Sequence, residues 1–185
     1  MDLVHDPVVV WTARLVLAAV FGAAAVTKLR ALEAFVGVVH NYRVLPESLV
    51  RLVAYLLPPF EAVIAMGLLV EQTRPYAAAA AAGLLVIFAV AMGINLVRGR
   101  RDIDCGCFAS VLRQRLSWAL VGRNLVLTAM ALAALSPVLP ARPIVWLDVV
   151  TVTAASVSTI LLYVAFSRLL GLAPLEVRHA AGVGE

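Results

Sequence analysis

The sequence predicts an all-α integral membrane protein, a compact bundle of about five transmembrane helices with a short interfacial helix in the first loop. Three observations predict it. Hydrophobic residues make up 63% of the 185-residue chain and charged residues 14%. Mean hydropathy is +1.00, more apolar than a water-soluble domain of this size needs to be. Five stretches, residues 8–27, 52–70, 76–97, 116–137 and 144–166, are apolar enough to cross a bilayer, which takes roughly 20 residues as helix. None alternates in polarity as the spans of a β-barrel do.

The segment before the first span, Met1 to Pro7, carries two acids and no Lys or Arg. That is the reverse of a secretory signal's basic start, so the first span reads as a retained helix. Between residues 28 and 51 the connection is too long for a turn. Leu32, Phe35, Val36 and Val39 recur at helical spacing within it, which predicts a short amphipathic helix in the interface. Pro46 closes that segment, because a residue before proline disfavours helix. The second span carries Pro58-Pro59 and then Glu61; consecutive prolines remove backbone donors and kink a helix. The third span is rich in Ala and Gly, as close helix approach requires. Trp118 opens the fourth as an interface anchor, with Arg123-Asn124 about two turns in. The fifth is apolar apart from Asp148 and scattered Thr and Ser. One membrane domain, residues 1–185, fills the chain.

Basic residues set the orientation. Lys28, Arg30, Arg43, Arg51, Arg98, Arg100, Arg101, Arg113, Arg115, Arg168 and Arg178 fall on one side, with only Arg74 and Arg142 on the other. The positive-inside rule then places the amino terminus outside and the third loop in the cytoplasm. The net charge of +4 and pI of about 9.6 belong to these flanks. No basic aromatic face lies outside the membrane, so nucleic acid is not the partner; the lipid bilayer is. Arginine outnumbers lysine fourteen to one, which points to a GC-rich bacterial genome and hence a bacterial inner membrane.

That third loop holds both cysteines of the chain, in Asp104-Cys105-Gly106-Cys107-Phe108. Two thiols one glycine apart can close a small, strained and therefore reducible ring. Gly106 permits the backbone angles of closure. Residues 98–115 carry net +3, and a helix amino terminus follows; both favour thiolate. Three readings stay open: a redox or thiol-exchanging pair, a metal site, and two inert loop cysteines. Zinc wants four ligands, which Cys105, Cys107, His40 and His179 could supply only at a spacing that matches no standard finger, so no metal is assigned. Glu61 is the deepest ionisable group and must be paired or neutralised. Arg123 or Arg14 is the expected partner, with Arg14 reaching back to its own interface. A sharper reading makes Glu61 or Arg123 a proton relay to the cysteine loop. Asn95 and Asn124 are expected to hydrogen-bond between helices.

Taken with these motifs, the chain resembles the MauE-like membrane proteins. The resemblance rests on Asn95-Leu96-Val97-Arg98-Gly99-Arg100, Asp104 to Phe108, Leu116-Ser117-Trp118 and Arg123-Asn124. Upstream, Lys28-Leu29, Tyr42 to Pro46, Leu57-Pro58, Glu61 and Gly67-Leu68 also fit. Ala109 departs from the family's usual glycine but leaves both thiols. The resemblance implies a helical bundle related to DoxX-type proteins, working beside a thioredoxin-like membrane or periplasmic partner. Its implied task in methylamine users is maturation of a disulfide-containing client, the small subunit of methylamine dehydrogenase. As an enzyme it would be a thiol–disulfide oxidoreductase, with Cys105 and Cys107 exchanging. Asp104, Gly106, Phe108, Glu61, Arg123 and Asn124 would support them.

The layout also looks like vitamin K epoxide reductase, which by fold-level analogy makes a quinone the possible cofactor. Periplasmic maturation would put the cysteines outside, against the charge count. Two other function classes are carried: a non-catalytic scaffold that docks a thioredoxin-like partner through Phe35 and Tyr42, and a small-solute or metal-handling protein built around Glu61 and the proline kink.

Overall fold

A computed structural model describes residues 6–106, 115–136 and 145–181, with side chains of the last segment through residue 169. Cys107 and Phe108 lie outside the described residues. In order, the helices are α1 (Pro7–Arg30), α2 (Leu32–Tyr42), α3 (Glu47–Leu69), α4 (Arg74–Val97), α5 (Trp118–Leu135) and α6 (Trp146–Ala181). All but α2 are long and apolar enough to cross a membrane. The protein is a multi-pass helical membrane bundle.

Helices α1, α3, α4 and α5 close a four-membered ring, each packed on two of the others. α6 lies outside the ring against α1, and α2 lies against α3. Buried positions explain the ring. On α5 they are Leu120, Arg123, Asn124, Leu127, Ala131 and Ala134, one stripe at helical spacing. Alanine is the commonest buried residue of α4 (Ala77, Ala78, Ala81, Ala82 and Ala89), which lets backbones approach closely, as membrane helices without a hydrophobic driving force require. The bundle is therefore less uniform than five equal helices. α6 also runs well past the expected end of its span at residue 166.

Local signals set the ends. Asp6 accepts a 2.8 Å hydrogen bond from the Val8 amide, and Pro7 occupies the first turn of α1, where a missing N–H costs nothing. α4 ends when Gly99 adopts φ +74. The Gly99 amide then bonds the Leu96 carbonyl at 3.0 Å, and the Arg100 amide bonds that of Asn95 at 2.9 Å. This is a Schellman closure, and it turns the chain into the cysteine loop. α3 runs through Pro58 and Pro59 without ending.

At the end remote from the cysteine loop, two buried arginines cap helix carbonyls that have no intrahelical donor. Arg14 is fully buried; its Nε donates to the Leu68 carbonyl at 2.8 Å and its Nη1 to Glu71 Oε2 at 2.6 Å. Arg74 Nη1 donates to the carbonyls of Ala134 and Ser136 at 2.7 and 2.6 Å, while its Nε reaches Glu71 Oε1 at 3.0 Å. Arg14 thus pairs with Glu71 at its own interface and not with Glu61. Arg74, expected as a loop charge, is buried and joins α4 to the end of α5.

Partial burial alone would raise the Glu71 carboxyl. The hydrogen bond and charge of Arg14, then the charge and hydrogen bond of Arg74, outweigh that and hold it below the usual range. A carboxylate depressed in the folded state contributes stability above its unfolded pKa, about 4.3, and loses it as pH falls through the folded value. Thermal unfolding in detergent micelles should therefore show stability falling with acidification below about pH 4.5. Glu71→Gln should flatten that dependence; an unchanged acid limb would contradict the clamp.

Candidate functional site

The site forms where α2, the start of the cysteine loop and the cysteine-side ends of α1, α4 and α5 converge. The loop's two stems are tied together: Asp104 bridges Arg115 in antiparallel fashion, the Leu116 amide donates to the Ile103 carbonyl at 3.1 Å, and Arg115 pairs with Asp102 at 3.3 Å. Asp104 is thus fixed through its backbone pairing with Arg115. Asn95 is fully buried. Its Nδ2 donates to the Ala91 carbonyl of its own helix, and its Oδ1 accepts from Arg100 Nη1 at 3.2 Å. It braces the loop's entry instead of bonding across helices.

Cys105 is 8% exposed and packs with Met92, Leu96, Leu116 and Leu120. Its Sγ lies 3.7 Å from Met92 Sδ and 3.9 Å from Arg123 Nη2. Arg123 reaches it from the first turns of α5, with Nη1 donating to Ser167 Oγ of α6 at 3.2 Å and the guanidinium 5.1 Å from the centre of the Tyr163 ring. One buried cation therefore joins α5, α6 and the cysteine. The Cys105 carbonyl accepts from the Tyr42 hydroxyl at 3.0 Å.

Gly106 locks the loop onto α2. Its φ is +75, and a Cβ there would meet Val38 Cγ1 at 2.6 Å. Both the left-handed backbone and the contact demand glycine. Gly106 was expected to permit the backbone angles of ring closure; it holds a positive φ and also packs closely under α2. Of the two residues expected at a scaffold's docking face, Phe35 is buried at 4% exposure, and Tyr42 is half-buried with its hydroxyl on the Cys105 carbonyl. His40 is exposed and 3.9 Å from Glu47.

Glu61 is buried, and its ion-pair partner is Lys28 of α1, where the sequence reading expected an arginine. Lys28 is 2% exposed and Glu61 1%. α1 and α3 run antiparallel, and side chains tilt toward their helix amino termini. Lys28 and Glu61 therefore lean toward each other across the interface. The Lys28 ammonium also sits 5.1 Å from the Phe35 ring and 5.3 Å from the Phe88 ring, both within cation–π range. Lys28, Glu61, Arg123 and Asn124 line one small internal space of about 30 Å³, large enough for a water molecule. Among the described residues Asn124 Nδ2 has no hydrogen-bond partner.

The MauE profile, described as methylamine utilisation protein MauE, matches residues 6–137. The chain is 45% identical over 183 residues to the methylamine utilization protein MauE of Paracoccus denitrificans, covering 99% of this chain and 98% of that one. Identity to the protein of the same name from Methylorubrum extorquens is 47% over 143 residues, covering 76% and 77% of the two chains. To that of Methylophilus methylotrophus it is 40% over 175 residues, covering 92% and 90%. The chain belongs to the MauE family. No solved structure matches it. The resemblance read from the cysteine and arginine motifs is thus the family itself, and of those motifs Arg123 lies beside Cys105.

Removing one member of a buried ion pair strands the other charge, at about 3–5 kcal/mol, whereas replacing both is often neutral. Lys28→Met and Glu61→Gln should each destabilise the protein in micelles by about that amount. The double variant should recover most of the loss by chemical denaturation. Additive losses would contradict the pair.

Proposed function

We propose that this chain is a membrane thiol–disulfide redox protein serving methylamine utilisation, with Cys105 and Cys107 as the exchanging pair. The observation that carries the reading is the Cys105 sulfur held 3.9 Å from the buried Arg123 guanidinium. A cation at that position favours negative charge on sulfur, and thiolate is the form that attacks a disulfide. The bonds from Tyr42 and the contact under Val38 hold the cysteine so that little reorganisation precedes attack. In this reading the pair takes electrons from the dithiol of a thioredoxin-like partner on the loop's own side of the membrane, and a further carrier links that exchange to maturation of an extracytoplasmic client.

The cysteine loop is assigned to the cytoplasmic side of a bacterial inner membrane. Lys28 and Arg74 are engaged inside the bundle, and setting them aside leaves the charge bias in the same direction. Lys28–Glu61 and the small space lined by Arg123 and Asn124 would supply a path for the protons that thiol exchange releases or takes up.

In a methylamine-grown host lacking the chain, Cys105→Ser and Cys107→Ser should reach the membrane at normal levels and support no methylamine-dependent growth. Arg123→Gln should support slower growth. Full growth with both serine variants would overturn the redox reading and favour a non-catalytic role.

A further inference from the structure

Cys105 and Gly106 close one end of a cavity of about 370 Å³, a volume within the usual range for small-molecule sites, about 300–1,000 Å³. α2 roofs it through Phe35 and Val38, α3 walls it through Val53 and Leu57, and α4 through Phe88 and Ala91. Its lining includes Ile87, which is 62% exposed on the apolar outer face of α4. The cavity therefore communicates with the hydrocarbon of the bilayer. Its lining among the described residues is apolar or aromatic except for Tyr42, the Cys105 thiol and one charged group, Lys28.

That composition selects an occupant. An ammonium has three N–H donors, and Glu61 takes one. The rings of Phe35 and Phe88 flank the same nitrogen and offer flat faces to a second ring. Because Glu61 already neutralises Lys28, a fatty carboxylate would add an uncompensated negative charge beside it. A neutral carbonyl oxygen would not. We propose that the cavity binds the ring of an isoprenoid quinone, entering from the lipid between α3 and α4, with one carbonyl accepting from Lys28 and the ring beside Cys105. The proposal rests on the redox reading of the cysteine pair and names its electron acceptor.

The step balances. The two S–H bonds of the Cys105–Cys107 dithiol break and one S–S bond forms. The electron pair and two protons released convert both quinone carbonyls to the hydroxyls of the quinol, which leaves into the bilayer. The partner's dithiol then reduces the disulfide for another round.

The test uses the full chain reduced in lipid nanodiscs. Disulfide closure is followed by mass shift after maleimide quenching, with decylubiquinone as one oxidant and a water-soluble aromatic disulfide as the other. Ala91→Phe and Val53→Trp fill the cavity from opposite walls, so the measurement survives if one variant fails to fold. Decylubiquinone should close the disulfide in the native chain. The ratio of its rate to that of the soluble disulfide should fall at least tenfold in the filled variants. An unchanged ratio would overturn the site. Closure by the soluble disulfide and not by decylubiquinone would overturn the quinone and leave the redox pair standing. Closure by neither would overturn both.

Discussion

A buried ammonium and a buried carboxylate cannot be parted inside a bilayer without stranding a charge, and the Lys28–Glu61 pair therefore fixes α1 against α3. The rest of the site is arranged around that junction. Phe35 of α2 and Phe88 of α4 turn their rings to the same ammonium. Arg123 and Asn124 of α5 line the same small space, and Lys28 and Phe88 also line the larger cavity that reaches Cys105. The other end is closed by Arg14 and Arg74, bonded to helix carbonyls and to Glu71.

The cysteine loop is held from three directions. Gly99 turns the chain out of α4, Gly106 packs it under Val38, and Tyr42 holds the Cys105 carbonyl. The short helix α2 is consequently a clasp over the loop. Its apolar face is spent on the loop, the cavity and α3.

The helical membrane class, the interfacial helix and the membership in the MauE family were legible because each is written in local pattern: apolar run length, helical spacing, and a cysteine motif with its flanking arginines. Glu61 was legible as a buried carboxylate in need of a partner, and the partner was not. Lys28 stands at the end of its span, where basic residues ordinarily meet lipid headgroups. Only the antiparallel packing of α1 on α3, with both side chains tilted inward, brings it inside. Arg74 escaped for the same reason, since a charge beside a tight turn reads as solvated until the neighbouring helix end is in place. Asn95 illustrates the converse: its amide was expected to reach another helix, but the turn at Gly99 brings Arg100 back to it first. The cavity had no sequence signal, because it is the space left between α2, α3 and α4 and not a run of residues.

Cys105 and Cys107 are proposed to form a reversible disulfide on the cytoplasmic face. The most direct measurement is labelling of both thiols in intact cells with a membrane-permeant and an impermeant maleimide, before and after mild reduction. The permeant reagent alone should label them, and labelling should rise after reduction. Full labelling of both cysteines without reduction would contradict the redox pair, and labelling by the impermeant reagent would contradict its side of the membrane.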